Sequence, residues 1–268
     1  MNYDKTVQSA RRTILSSYRK HGRHDLPWRK TCDLYEVLVS EVMLQQTQVD
    51  RVVPLYEAFV RKFPTAEELA RAPLSEVLKS WQGLGYNRRA KMLHQAAKEL
   101  AAREFHSVAE LETLPGIGPY TARAVAAFAW NADVIVIETN IRTAIIQHFF
   151  SQEKKVSDKD IEGVLVQMLP KGKSREWYSA LMDYGAHLKR SGVSHNDRSD
   201  TYARQARFAG SLREARGAIL RELSQKPATR PDLLSRSGLV AGRIALALDA
   251  LCAEGLVQEK KAHFMLAD

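Results

Sequence analysis

Cysteine is nearly missing. Cys32 and Cys252 stand far apart in the chain, which gives neither a disulfide framework nor the clustered thiolates of a zinc or iron–sulfur site, and predicts two free thiols. Long apolar runs are missing too. None approaches the roughly 20 residues that span a bilayer, and the opening MNYDKTVQSARR is too polar for the core of a signal peptide. A cytoplasmic protein without a membrane partner is therefore expected, nucleoid-associated if its source is prokaryotic. There is no low-complexity tract to argue for disorder. Acidic residues are in deficit: 31 Asp and Glu face 40 Lys and Arg, for a formal charge of +9. That balance favours polyanions such as nucleic acid or acidic membrane surfaces, and charge alone does not choose among them.

Alternating strand patterns are absent until the last dozen residues. What fills the chain is helical periodicity, as in LYEVLVSEVMLQQTQVDRVVPLYEAFVRKF, punctuated by Gly and Pro at FPTAEELARAP, LSEVLKSWQGLGYNRRAKMLHQAAKELAA and SVAELETLPGIGPYTARAVAAFAW. This predicts an all-α body of short packed helices. The basic, aliphatic-poor segment 187–208 marks a boundary, dividing the chain into a main domain over 1–208 and a smaller one over 209–268. In the smaller part SLREARGAILREL, RPDLLSRS and VAGRIALALDALCAEG read as three helices and GLVQEKKAHFMLAD as a hairpin, an order resembling a winged helix. The long apolar helix there has Arg243 as its one basic residue, which suits packing better than base reading.

Four stretches are able to carry chemistry. In LPGIGPYTARAVAAFA, Ser107 or Glu110 upstream opens a short helix, Leu114 to Gly118 form a tight turn, and Pro119 starts a second helix. Gly116 and Gly118 allow positive φ and close approach, so that backbone N–H groups can face a phosphate; a plain glycine-capped connection is the other reading. In SEVMLQQTQV, Glu41 lies among Val39, Val42, Met43 and Leu44. A carboxylate there costs free energy unless paired or kept protonated, and an exposed helix-face acid is the plainer alternative. GLGYNRRA sets Tyr86 beside Arg88, Arg89 and Lys91, an aromatic able to stack or wedge next to phosphate-seeking charge, or else a capped helix with a solvated basic face. VIETNIRT puts Glu138 between an apolar run and a helix-like segment, where it is either a helix cap or half of a carboxylate pair.

Taken in order and spacing, LPWR, SEVMLQQTQV, WQGLGYNRRAKMLHQAA, LPGIGPYTARAV and MDYGA resemble the helix-hairpin-helix DNA glycosylase superfamily, and within it MutY-type adenine glycosylases, over roughly residues 25–190. The resemblance implies a two-lobed body, one lobe about 30–130 and the other 1–29 plus 131–208, that grips duplex DNA bearing a mismatched or damaged base and flips one nucleotide into the cleft. By motif position Glu41 matches the acid that protonates the departing base, Tyr120 a pocket residue, and Asn140 the Asn of the family's Asp-Gly-Asn. Gln46 and Tyr86 match wedges in the base stack. Gln45, Gly83, Arg88, Arg89, Gly116, Gly118 and Thr121 fall in the matching DNA-binding stretches.

Glu138 departs from this pattern, since the superfamily ordinarily has Asp there to stabilise positive charge on the deoxyribose. The extra carbon–carbon bond adds about 1.5 Å, and a misplacement near 1 Å can cost on the order of 100-fold in rate. A short backbone shift would restore the position. Bifunctional relatives carry a Lys where Tyr120 stands; a phenol forms no Schiff base, so hydrolysis without strand cleavage is expected. Many relatives also hold a four-cysteine iron–sulfur cluster after MDYGAHLKR, whereas GVSHNDRSDTYARQARF has no cysteine. No cofactor is expected. A DNA-facing basic loop of Lys189, Arg190, Arg198, Arg204 and Arg207 would be held by helix packing, with His187 and His195 as surface residues rather than ligands. Residues 210–268 are too short and too helical for the family's 8-oxoguanine-recognition domain, and read as a docking or auxiliary DNA-backbone module. The resulting expectation is a monomeric, monofunctional glycosylase removing adenine opposite 8-oxoguanine or guanine. Two rivals stand beside it: a thymine or uracil glycosylase acting opposite guanine, since Tyr120 suits both, and a catalytically idle protein that binds distorted DNA.

Overall fold

The computed structural model describes residues 3–200 and 207–268. In chain order the helices are α1 (Tyr3–His21), α2 (Leu34–Leu44), α3 (Val49–Lys62), α4 (Ala66–Arg71), α5 (Leu74–Ser80), α6 (Arg88–Ala102), α7 (Val108–Glu112), α8 (Pro119–Ala129), α9 (Thr139–Phe149), α10 (Asp158–Met168), α11 (Ser174–Arg190), α12 (Leu212–Gln225), α13 (Arg230–Ser237) and α14 (Ala241–Ala253). The chain closes on β1 (Val257–Lys260) and β2 (His263–Leu266), an antiparallel pair with Val257 opposite Leu266. The body is all-α, as the 3.6-residue periodicity predicts. Among the described residues no helix is long and apolar enough to cross a membrane.

Local chemistry sets the helix ends. Ser157 with Asp160 and Thr229 with Asp232 form reciprocal capping boxes at the starts of α10 and α13, so backbone donors left over in the first turn are satisfied by side chains. Pro119 opens α8, where a missing N–H costs nothing. Gly238 closes α13 with φ +67°, a left-handed conformation that glycine adopts without strain.

The chain packs as two compact units. The first comprises Met1–Val37, Ser107–Ala109 and Gly118–Arg204. Its centre is α11, which buries Trp177, Tyr178, Ala180 and Leu181 against α9, α1 and α8. The first helix contributes Val7, Ala10 and Ile14 to this core, and α8 contributes Ala124 and Ala127. Through those two alanines α8 packs in this unit, whereas a lobe boundary near residue 130 assigns residues 118–130 to the other lobe. The unit also accounts for two of the quoted motifs. Asp183 of MDYGA is buried, and it accepts hydrogen bonds from Arg29 of LPWR at 2.6 and 3.0 Å and from the Arg23 backbone N–H at 2.7 Å. Burial alone would push its carboxyl up, but the hydrogen bonds and charge of Arg29, with Arg23, outweigh it and hold the group below the usual carboxylate range.

The second unit comprises Leu38–His106, Glu110–Ile117 and Gln205–Asp268. Phe59, Phe63 and Trp81 meet edge to face, with ring centroids 5.0 and 5.8 Å apart, and α6 lies across α4 and α5. The C-terminal module packs within this same unit: α12 contacts α5, and Ser75 donates to Asp268 at 2.7 Å. Its three helices and hairpin follow the winged-helix order, with Ala228 and Phe264 exchanging backbone hydrogen bonds at 3.0 and 2.8 Å that tie the α12–α13 connection to the wing. Arg243 is used internally, donating to Glu214 at 2.6 Å and to the Ser211 carbonyl at 3.0 Å, which agrees with a packing role for α14.

Candidate active site

Glu138 is a helix cap. Its backbone is extended, with φ −136° and ψ 176°, and one carboxylate oxygen accepts the N–H groups of Asn140 and Ile141, both at 2.8 Å. The other oxygen accepts the Thr139 hydroxyl and the Asn140 side-chain amide, both at 3.1 Å. A carboxylate offers about four lone-pair sites, and these four bonds engage them. The first turn of α9 adds the positive end of its dipole. The extra methylene relative to Asp is thus absorbed by folding the acid back over the helix end. What results is a carboxyl group held in place by four donors.

The same unit sets other groups in the field of this acid. Arg142, one turn on, makes a two-pronged pair with Asp158 at 2.7 Å for each prong. Those hydrogen bonds raise its guanidinium pKa, and the charges of Glu138 and Tyr120 add to the effect. Burial lowers the Lys189 amine pKa, Glu138 pulls it back up, and Arg142 pushes it down. Tyr120, second residue of α8, is 37% exposed. Asn140 is set by contact with α11: a Cβ on Gly185 would lie 2.0 Å from the Asn140 carbonyl oxygen, so only glycine permits this approach. Arg142 and Gly185 were missed as site residues from the sequence, although the four-residue spacing from Glu138 and the MDYGA motif were both visible.

The second unit holds Glu41, and with it the wedge candidates. Glu41 is 7% exposed on α2, between the buried Val39, Val42 and Met43. Gln46 and Tyr86 both carry left-handed backbones, with φ +55° and +47°. Non-glycine residues rarely adopt that conformation, and it persists where surroundings over-determine it. The fixing group is Arg89. Its Nη1 donates to the carbonyls of Val42, Met43 and Gln45 at 2.6, 3.1 and 2.6 Å, and its Nη2 to Thr47 Oγ1, Leu84 O and Gly85 O at 3.2, 3.3 and 3.2 Å. Arg89 therefore departs from its expected phosphate contact: its donors face inward, binding the 45–47 and 84–85 loops together. Burial brings its pKa down to about 10, with Tyr86 opposing, so the charge is kept at neutral pH. Gln45, Gln46, Tyr86, Arg88, Arg89 and Gly116 line one cavity of about 680 Å³. Arg88 is exposed, and Gly83, at φ +92°, serves the turn before Tyr86.

The hairpin glycines divide. Gly116 takes φ +76°, and a Cβ on it would lie 2.6 Å from the Met92 Cβ. Gly118 does not need positive φ: it caps α8 at φ −93° with open space where a Cβ would go. Thr121 is only 4% exposed, so its side chain offers little to a ligand, because α8 turns that face inward.

A four-cysteine cluster does not fit this chain, which has two cysteines in all. After α11 the backbone is held by hydrogen bonds. Val156 N donates to Arg198 O at 2.9 Å, the Arg198 guanidinium donates to the carbonyls of Phe150 and Glu153, and His195 bonds Gln147 at 2.7 Å. Arg198 is therefore used on the backbone of the loop itself. Arg190 and Arg207 are exposed, while Arg204 lies outside the described residues. His187 stacks on His21 at 5.0 Å.

Comparison with known proteins agrees with this arrangement. Residues 39–171 match the HhH-GPD superfamily of base excision DNA repair proteins. The chain is 38% identical to an adenine DNA glycosylase of Mycolicibacterium smegmatis over 91% of its own length and 92% of that protein, and 34% identical to one of Mycobacterium tuberculosis over 91% and 89%. A thermostable thymine-DNA glycosylase superposes with a TM-score of 0.61 at 24% identity, covering 75% of this chain and 99% of the other. A trapped endonuclease III–DNA covalent intermediate gives 0.57 at 19% identity, with 71% and 88% coverage. These two speak to the fold. Sequence motifs, architecture and relatives at over 90% coverage lead to one assignment: the chain belongs to the HhH-GPD superfamily of base excision DNA repair proteins, and within it to the adenine DNA glycosylase family.

Proposed function

We propose that the protein hydrolyses the N-glycosidic bond of adenine mispaired with 8-oxoguanine or guanine in duplex DNA, and does so without cutting the strand. The observation that carries this reading is Glu138, a half-buried carboxylate with its acceptor sites filled at a helix N-terminus. An oxocarbenium-like transition state is stabilised by a fixed anion that needs no reorganisation as charge develops. Glu41, 7% exposed on α2 beside the buried Val39, Val42 and Met43, has the burial suited to a carboxyl that gives a proton to the departing purine. In this scheme Glu41 is the general acid and then positions water, and Glu138 stabilises the sugar cation. Tyr120 and Asn140 shape the pocket, and Gln46 with Tyr86 fills the gap left by the extruded nucleotide, whose flipping costs a few kcal/mol. Tyr120 in place of lysine supports hydrolysis alone. The division into a glycosylase domain over 1–208 and an accessory module over 209–268 belongs to the same reading.

The test is a panel of duplexes bearing A opposite 8-oxoguanine, A opposite G, and T or U opposite G, scored for released base and for strand breaks before and after alkali. Adenine release with breaks only after alkali is the expected result. Release of thymine or uracil in its place would move the protein to its pyrimidine-acting rival, and tight binding without release would make it an idle binder.

A further inference from the structure

Tyr86 is held by more than its own loop. The Arg89 guanidinium lies over its ring at 5.5 Å, and a second guanidinium, Arg213 of α12, lies over it at 5.1 Å and donates to its hydroxyl. Arg213 also sits 5.4 Å over the Phe208 ring. The C-terminal module is also held against α6 by one bond, beside which two of its own helices are tied to each other. Lys91, on α6, donates to the Glu254 carbonyl at 2.6 Å, and Arg216 pairs with the Glu254 carboxylate at 2.7 and 2.5 Å. Leu212, Arg213, Arg216 and Glu254 complete the wall of the cavity that Gln46 and Tyr86 line. An aromatic residue with a left-handed backbone, approached by two cations and anchored at its hydroxyl, has little rotamer freedom left to lose on insertion into a base stack.

We propose that Arg213 is a positioning residue for base excision: the C-terminal module supplies it to hold the Tyr86 ring in the attitude that wedges the duplex. The module then contributes to catalysis through this one contact, without reading sequence. The inference rests on the reading of Tyr86 as a wedge under Proposed function.

The experiment uses the full chain and a duplex with 2-aminopurine next to the target adenine, whose fluorescence rises when its stacking is broken. Arg213→Met, Arg213→Lys, Tyr86→Ala and the double variant Arg213→Met/Tyr86→Ala are compared for affinity, fluorescence rise and single-turnover rate. Arg213→Met should keep its melting temperature and bind within a few-fold of the parent. It should lose most of the fluorescence rise and slow excision about tenfold, the loss of one charged contact to an aromatic. Arg213→Lys should restore most of both, and the double variant should be no slower than Tyr86→Ala. A full fluorescence rise with Arg213→Met, or losses that add in the double variant, would overturn the proposal, the latter by showing that Arg213 acts without Tyr86. A parent protein that unstacks the probe yet excises nothing would refute the glycosylase reading and leave the bracing role to be judged on fluorescence alone. A parent that gives no rise would end the bracing role itself.

Discussion

Glu138→Gln is expected to slow adenine release in single turnover by on the order of 10³-fold, while the fold and the affinity for duplex change little. The amide oxygen can still accept the N–H groups of Asn140 and Ile141 that the carboxylate now receives, so the cap survives at a cost of roughly 0.5–1 kcal/mol. What is removed is the charge. Glu138→Asp keeps that charge, and Asp is itself a good cap, so it should stay within about tenfold of the parent enzyme. Glu138→Ala loses cap and charge together, and should lower stability by about 1 kcal/mol as well as activity. Urea unfolding, measured beside excision, separates the two effects. A Gln variant that excises at the parent rate would reduce Glu138 to its capping role.

Gly185→Ala should do the most damage to the fold. The added methyl carbon would stand 2.0, 2.6 and 2.8 Å from the O, C and Cα atoms of Asn140. These are backbone atoms at the first turn of α9, so no side-chain rotation relieves the overlap. Either α11 or the start of α9 must move, and the close packing of those two helices makes such overpacking cost about 3 kcal/mol or more. A fall in Tm of roughly 6–12 °C is expected for a chain of this size. Because the shifted turn carries Glu138, whatever protein still folds should be slow in excision too. An unchanged melting curve would show that α9 has slack the packing denies.

The architecture was legible because its signals are local. Periodicity marked the helices, glycine and proline marked their ends, and the final alternation with its turn at Lys261 and Ala262 marked the hairpin. Motif spacing carried the candidate residues as far as their elements. Side-chain direction was not legible. Arg89 reads in sequence as a surface cation beside Arg88, and only the folded loops show six acceptors converging on it. Arg198 reads likewise and is used on the carbonyls of Phe150 and Glu153. Thr121 fell in a DNA-binding stretch, yet helix phase turns it inward. Arg213 was invisible for another reason: it stands 127 residues from Tyr86, and no local pattern encodes a contact of that span. At Glu138 the geometry shows the cap, and the proposed catalytic role builds on the same fixed carboxylate.

The division of labour between Glu41 and Glu138 meets its sharpest check in the single-turnover release of free adenine by the parent protein and by Glu41→Gln, on a duplex carrying adenine opposite 8-oxoguanine. The parent should release adenine and leave an abasic strand that breaks only in alkali. The variant should bind the duplex equally well and release adenine at least 10²-fold more slowly, the loss expected for a positioned general acid. Adenine release by the variant at the parent rate would contradict the assignment of Glu41 as the proton donor, and with it the pairing of roles proposed for the two acids.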